Sequence, residues 1–293
     1  MVKLSIVILS FNTKRQTLAC LQSLISSLQK QLKENRYEII VLDNASEDGS
    51  YEALATFAKP FSFITLIKSD RNLGFGNGNN HAAQASKGEY LWFFNSDAVL
   101  AADTVEAPIT YLDEHPKVAV LGPCLSDGNG KKEKSAGRFY NLSEAVLMIF
   151  GLERLGAVRS TPLQITNVDW VSGGAMMVRR SIFDALGGFD KNIFMYMEDM
   201  EFCYRVKQKG NTVVYFPDMQ VIHQQHGSSN KSFAIASIYK GIVYFYHKHK
   251  NRISYTIVKV LLQIKAISAI IFGTIFGKKT LVATYKQALA SIS

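Results

Sequence analysis

Four short apolar runs, rich in β-branched and aromatic residues, divide the first hundred residues: Leu4 to Leu9, Glu38 to Leu42, Phe63 to Ile67 and Tyr90 to Phe94. Between the first two, Leu18, Leu21, Leu24, Ile25 and Leu28 recur at helical spacing within Thr17 to Leu32. Strands alternating with amphipathic helices leave a chain few options, because the helices cover both faces of the sheet they connect. The pattern predicts an α/β fold with a mostly parallel central sheet flanked by helices. In such sheets ligands bind beyond the C-terminal strand ends. The segments to inspect are therefore Ser10-Phe11-Asn12, Asp43-Asn44-Ala45-Ser46, Ser69 to Gly78 and Asn95-Ser96-Asp97.

Further along, Leu125 to Thr166 has weak periodicity and a Gly/Asn/Lys-rich centre, so a hairpin or mobile loop is expected there. Strand character resumes at Val168 to Val171 and Ala175 to Val178, then a short helix at Ser181 to Leu186 is stopped by Gly187-Gly188. Val213 to Phe216 and Gln220 to Ile222 read as two more strands. A chain of 293 residues, 47% hydrophobic and 19% charged, can bury a sizeable core. Its three cysteines are widely spaced and odd in number, which supports neither a disulfide framework nor a CxxC metal site and fits a reducing cytoplasm. Leu4 to Leu9 is too short for a secretory leader and reads as a first strand.

Several motifs carry candidate chemistry. Asn72-Leu73-Gly74-Phe75-Gly76-Asn77-Gly78-Asn79-Asn80 leads into a helix whose free N–H groups could meet a phosphate or a sugar hydroxyl; an ordinary Gly/Asn turn is the alternative. Its spacing matches neither a Rossmann fingerprint nor a P-loop, and no GxSxG or HExxH occurs. Tyr90 to Phe94 delivers Asp97 just beyond a strand end, as a cation ligand or a turn cap. His223 stands where another strand-like run ends, with His226 as a competitor. Paired with Asp97, it would suit Mn²⁺ or Mg²⁺ better than zinc. Finally, Phe194 to Gly210 gathers Glu198, Asp199 and Glu201 at a helix start, where acid is either catalytic or simply favoured by the helix dipole.

Taken in order, the runs SIVILSFN, EIIVLDNASEDGS, NLGFGNGNN, WFFNSDAVL, VDWVSGGAMMVRR, GGFDKNIFMYMEDMEFCYRVKQKG and VVYFPDMQVIH resemble the family 2 glycosyltransferases of bacterial polysaccharide synthesis, with the rhamnosyltransferases nearest. The resemblance covers about residues 3 to 229. It implies a GT-A fold, a nucleotide-sugar donor, a divalent cation and inversion at the anomeric carbon. By position it implies that Ser10, Asn12 and Asp43 contact the nucleotide, Asp43 accepting a pyrimidine N–H, and that Asn72, Gly74, Asn77 and Asn80 line the donor pocket. The family's DxD signature reads Asn95-Ser96-Asp97 here, so its first acid is replaced. Asp97 and His223 become the expected metal ligands, with Asn95 and Ser96 beside the donor. Trp170, Gly173 and Gly174 would shape the sugar and acceptor sites. Asp199 would be the catalytic base, Glu198 its support, and Glu201 helix charge only.

Two segments are expected: a catalytic domain over 1–229, nucleotide-binding to about residue 100 and acceptor-side beyond, and a helical region over 230–293. The net charge of +9 resides in the latter. No acidic residue follows Asp218, while ten Lys/Arg do. Such asymmetry calls for an anionic partner. Tyr255 to Gly277 is strongly apolar but interrupted by Lys259, Gln263 and Lys265, and its unbroken run Ala266 to Gly277 is too short to span a bilayer. It reads as a basic amphipathic helix lying on an anionic membrane surface, with a spanning helix and a helical bundle packed on the catalytic domain as the alternatives. No motif supports nucleic acid. A cytoplasmic protein peripheral on the inner face of the plasma membrane suits the polyprenyl-diphosphate-linked saccharide acceptor usual in the resembling family. The expectation is thus transfer of L-rhamnose from dTDP-L-rhamnose. A UDP-galactose or UDP-N-acetylglucosamine donor, or a catalytically silent nucleotide-sugar-binding scaffold, is the alternative. Oligomeric state is left open, a homodimer included.

Overall fold

The computed structural model describes residues 2–149, 158–223 and 230–293. The first half runs β1 (Leu4–Ser10), α1 (Lys14–Ser27), α2 (Gln29–Lys33), β2 (Tyr37–Asp43), α3 (Ser50–Ala58), β3 (Ile64–Lys68), α4 (Phe75–Gln84), β4 (Tyr90–Phe94), β5 (Ala98–Val99) and α5 (Glu106–Glu114). Then come β6 (Val118–Ser126), β7 (Ala136–Gly137), α6 (Leu142–Ile149), β8 (Arg159–Ser160), β9 (Thr166–Val168), β10 (Trp170–Val171), β11 (Ala175–Arg179) and α7 (Arg180–Ala185). The chain closes with α8 (Glu198–Gln208), β12 (Thr212–His223), α9 (Lys231–His249), α10 (Arg252–Ile275) and α11 (Lys279–Ala290).

The main sheet has the order β3-β2-β1-β4-β11-β6-β12-β5, with β9 also paired to β12. β3, β2, β1 and β4 are parallel, as are β6 and β12, while β11 runs antiparallel between β4 and β6. Strand side chains alternate between two cores. Tyr90, Trp92 and Phe94 pack with Leu21 and Leu24 of α1 on one face, and Leu91 and Phe93 pack with Ala82 and Ala83 of α4 on the other.

Several elements differ from the sequence reading. The expected helix Thr17–Leu32 breaks at Leu28 into α1 and α2. The two strands expected near residues 213–222 are the single strand β12, with its pairing shifted between Phe216 and Gln220, beside Pro217, which has no N–H to give. Val168 to Val171 divides between two sheets, β10 joining β7 and β8 in a small antiparallel one. The stretch expected to be a loop also holds the end of β6, a turn at Asp127–Gly130, and α6.

α9 buries Ile242, Phe245 and Tyr246, and the Tyr246 hydroxyl donates to the Tyr140 carbonyl at 2.6 Å. Helices α9 to α11 therefore share a continuous apolar core with α8 and the sheet. α10 buries Val258, Leu262 and Ala266 but exposes Ile253, Ile264, Ile267, Ile271 and Ile275. As a helix of 24 residues it is long and apolar enough to cross a membrane by length and composition, a longer segment than Ala266 to Gly277 alone.

Candidate active site

The C-terminal ends of β1, β2 and β4 open into a cavity of about 760 Å³. Of the segments named from strand ends, Phe11, Asn44, Asn72, Gly74, Phe75, Asn95, Ser96 and Asp97 reach its wall. Asp43 is fully buried, and its Oδ2 accepts the Ser46 N–H at 3.1 Å. Its Oδ1 has no hydrogen-bond partner, an orphaned acceptor that a ligand N–H could satisfy. Ser10 and Asn12 act from behind the wall. The Ser10 hydroxyl is paired with Thr17, and Asn12, at φ 53°, accepts the Glu47 N–H at 2.8 Å and so fixes the loop after β2. Asn72 Oδ1 accepts from Asn44 Nδ2 and from the Gly74 N–H, both at 2.9 Å.

Asn77 and Asn80 do not line the cavity. Being three apart on α4, they share a helix face, and that face meets the segment before α8. Asn77 donates to the Lys191 carbonyl at 3.1 Å, while Asn80 exchanges two bonds of 2.8 Å with the Phe189 backbone. Trp170 is likewise not a wall residue. It is buried in the small sheet and its indole N–H donates to the Arg138 carbonyl at 2.9 Å.

At one corner of the cavity, His223 Nε2 lies 3.2 Å from Asp97 Oδ1 and 3.4 Å from Asn95 Nδ2, while Nδ1 lies 3.3 Å from Glu133 Oε1. Burial works against a charged imidazole, but the Asp97 and Glu133 carboxylates outweigh it and raise its pKa to about 10. A cation that displaced that proton would find in the Asp97 carboxylate and the His223 imidazole, with the Asn95 amide alongside, a donor set suited to Mn²⁺ or Mg²⁺. Among the described residues no group of three or more acidic, His or Cys side chains forms a ready-made metal cage. His226 lies outside the described residues. Glu133 escaped the sequence reading, because it comes from a segment without periodicity.

The acidic helix start follows Tyr196, which lines the cavity, but Glu198, Asp199, Gly173 and Gly174 are not themselves on its wall. Asp199 is half-buried; its Oδ2 accepts the Gly173 N–H at 2.9 Å and its Oδ1 the Met200 N–H at 2.7 Å. Glu198 is buried and its Oε2 has no partner. Burial first, and then the Asp199 charge, push the Glu198 carboxyl up to about 8. Burial raises Asp199 too, but two N–H donors oppose the shift. Of the pair, Asp199 is the member equipped to keep the negative charge and Glu198 the one that keeps the proton. Glu201 is a different matter from the helix charge expected of it. It is fully buried and accepts from Arg205 at 2.8 Å, Lys248 at 2.7 Å and His249 at 3.0 Å, the last two on α9.

Two consecutive left-handed residues, Tyr196 (φ 68°) and Met197 (φ 77°), turn the chain into α8. Each costs about 1–3 kcal/mol, and such strain collects at functional sites. Asn12 and Ala45, also at positive φ, adjoin Phe11, Thr13 and Asn44 on the cavity wall. Gly74 meets the segment before α8: Phe75 N–H, next to it, donates to the Phe194 carbonyl at 2.8 Å, and a β-carbon on Gly74, at φ 78°, would lie 2.2 Å from that same oxygen. Gly74→Ala is therefore expected to lower unfolding stability by about 2–4 kcal/mol and to weaken nucleotide binding. Thermal melts and nucleotide titration would check both.

Residues 5–187 match the family model described as glycosyl transferase family 2. The chain is 28% identical over 217 residues to N-acetylglucosaminyl-diphospho-decaprenol L-rhamnosyltransferase of Mycobacterium tuberculosis, covering 68% of this chain and 70% of the relative. It is 30% identical over 220 residues to rhamnosyltransferase WbbL of Escherichia coli, covering 70% of this chain and 81% of the relative. Among solved structures it is similar to GalNAc-T7 with UDP, GalNAc and Mn²⁺ (TM-score 0.64, 18% identity, 84% of this chain and 50% of that one). It is also similar to the mannosyltransferase PcManGT of Pyrobaculum calidifontis with GDP-Man and Mn²⁺ (TM-score 0.61, 14% identity, 99% and 85%). The fold is the expected GT-A architecture. With the strand-end cavity and the family match in agreement, the chain belongs to glycosyl transferase family 2 and is a glycosyltransferase.

Proposed function

We propose that the enzyme is inverting and moves L-rhamnose from dTDP-L-rhamnose onto a polyprenyl-diphosphate-linked saccharide, in cell-surface polysaccharide synthesis at the cytoplasmic face of the membrane. The reaction class rests on one arrangement: Asp199, each of whose oxygens accepts one backbone N–H, beside the buried Glu198 and a few residues beyond Tyr196 on the wall of the cavity that holds the Asp97–His223 corner. The donor and lipid acceptor are supported by the two rhamnosyltransferase relatives, one of which acts on a diphospho-decaprenol substrate by its name.

In this reading Asp199 removes the acceptor hydroxyl proton as that oxygen attacks the anomeric carbon. The bond from that carbon to the nucleoside diphosphate breaks on the opposite side, and the leaving group takes the electron pair. Each Asp199 oxygen already accepts one N–H and keeps a lone-pair site for the proton. Asp43 and Asn72 seat the nucleotide; Gly173 and Gly174 bring the backbone close to the base and to Asn95. Asp97 and His223 would hold Mg²⁺ or Mn²⁺, which neutralises charge on the departing diphosphate. Excess EDTA is expected to abolish transfer and either cation to restore it; full turnover in chelator rejects the metal assignment.

Incubation with dTDP-L-rhamnose, UDP-galactose and UDP-N-acetylglucosamine on a lipid-linked saccharide, read by product mass, tests the whole reading. A deoxyhexose added only from the first donor supports it. Transfer from a UDP-sugar replaces the donor, and binding without turnover on any combination favours a silent scaffold.

A further inference from the structure

Beside the donor cavity lies a second groove of about 480 Å³, between the Asn192–Met195 segment and helices α9 and α11. The two spaces share Phe194, Met195 and Phe233 as a common wall. Nothing in the donor reading uses this groove, although the residues forming its wall lead within a few positions to Asp199. Its size lies within the range of ligand sites, roughly 300–1,000 Å³.

We propose that the groove seats the lipid end of the acceptor, with the first isoprenoid units against Phe194, Phe233 and Ala236 and the diphosphate at Lys240. The proposal rests on the lipid-linked acceptor of the reading above. Its lining is mainly apolar, and Lys240 is the one charged residue on it among the described residues. An apolar trough with one cation at an exposed position matches a ligand that is a hydrocarbon on one side and an anion on the other. The surroundings agree. No acidic residue occurs anywhere in residues 231–293, so the three helices repel neither the diphosphate nor an anionic leaflet. A second copy of the chain is a poor occupant, since pairing would bring together two tails of ten cations each without one carboxylate between them. α10, packed on α9 and α11, exposes its isoleucine row, a route by which the remainder of a long polyprenyl chain could continue into the bilayer.

The probe is farnesyl diphosphate, titrated by calorimetry into the full chain with dTDP and Mn²⁺ at saturation, so that the donor cavity is filled. Ser237→Trp, on the groove side of α9, should obstruct the trough, and Lys240→Glu should repel the diphosphate. Each is expected to weaken farnesyl diphosphate by about tenfold or more, with dTDP affinity and melting temperature kept close to wild type. No binding to the wild type overturns the proposal, as does binding insensitive to both substitutions. Inorganic diphosphate binding as tightly as the farnesyl compound also overturns it, leaving an anion site alone. A transfer assay separates this failure from that of the parent reading. If wild type and both variants glycosylate a lipid-linked saccharide with the same KM, the acceptor reading stands and the groove assignment falls. If the wild type glycosylates only lipid-free saccharides, the acceptor reading itself falls.

Discussion

Asp199→Asn is expected to reduce transfer by roughly 10²–10⁴-fold while leaving nucleotide affinity unchanged, the loss typical of a missing general base. The amide keeps the shape and one acceptor oxygen but cannot take the proton. Because that side chain accepts two backbone N–H groups, the variant should orient its amide oxygen towards one of them and leave the other poorly paired, a small stability cost beside the catalytic one. The informative companion is Glu198→Gln. If Glu198 holds its proton, glutamine imitates it and transfer should change only severalfold. Equal losses from the two substitutions would reverse the roles. Stability gives a second readout. The folded-state pKa of Glu198 is raised, so its contribution is complete below the ordinary glutamate range and is lost as pH rises towards about 8. Glu198→Gln should lack that decline.

Glu201→Gln is expected to destabilise the fold by about 3 kcal/mol, because it leaves Arg205, Lys248 and His249 facing a neutral group in a buried setting. Burial opposes the Glu201 charge, but His249, Arg205 and Lys248 overcome it and bring its pKa down to about 2. The sign here is the reverse of that for Glu198. The stabilisation is present above pH 4.5 and disappears as pH falls towards 2. Melting temperature measured from pH 7 to pH 3 should fall more steeply for the wild type than for Glu201→Gln, the two curves converging in acid. A flat difference across that range would remove Glu201 as the centre of the cluster.

The parallel half of the fold was legible because its strands are apolar runs closed by turn residues, and their ends named Asp43, Asn72 and Asp97 directly. Legibility failed where position depends on partners distant in sequence. The resemblance implied donor contacts at Asn77 and Asn80, yet their helical spacing rotates both towards Phe189 and Lys191. Glu133 meets His223 only because β6 pairs with β12, Ser126 opposite Ile222, and no local pattern announces that pairing. Trp170 is a large aromatic in a conspicuous motif, but burial with its N–H satisfied is the commoner fate of such a side chain. Glu201 and Arg205 form a visible i, i+4 pair, whereas Lys248 and His249 arrive from α9, more than forty residues later.

The strained Tyr196–Met197 turn lies against α9, where a β-carbon on Gly241 would come within 2.8 Å of Met197 Cγ and 3.1 Å of the Tyr196 carbonyl oxygen. Anyone recombining this enzyme with a relative to change its acceptor would be tempted to cross over in the linker near residue 230. That junction would part the turn from the helix shaped to fit it, and the Asp190 and Glu201 carboxylates from Lys248. These contacts tie the block from about residue 188 to 249 together, so it is to be exchanged whole.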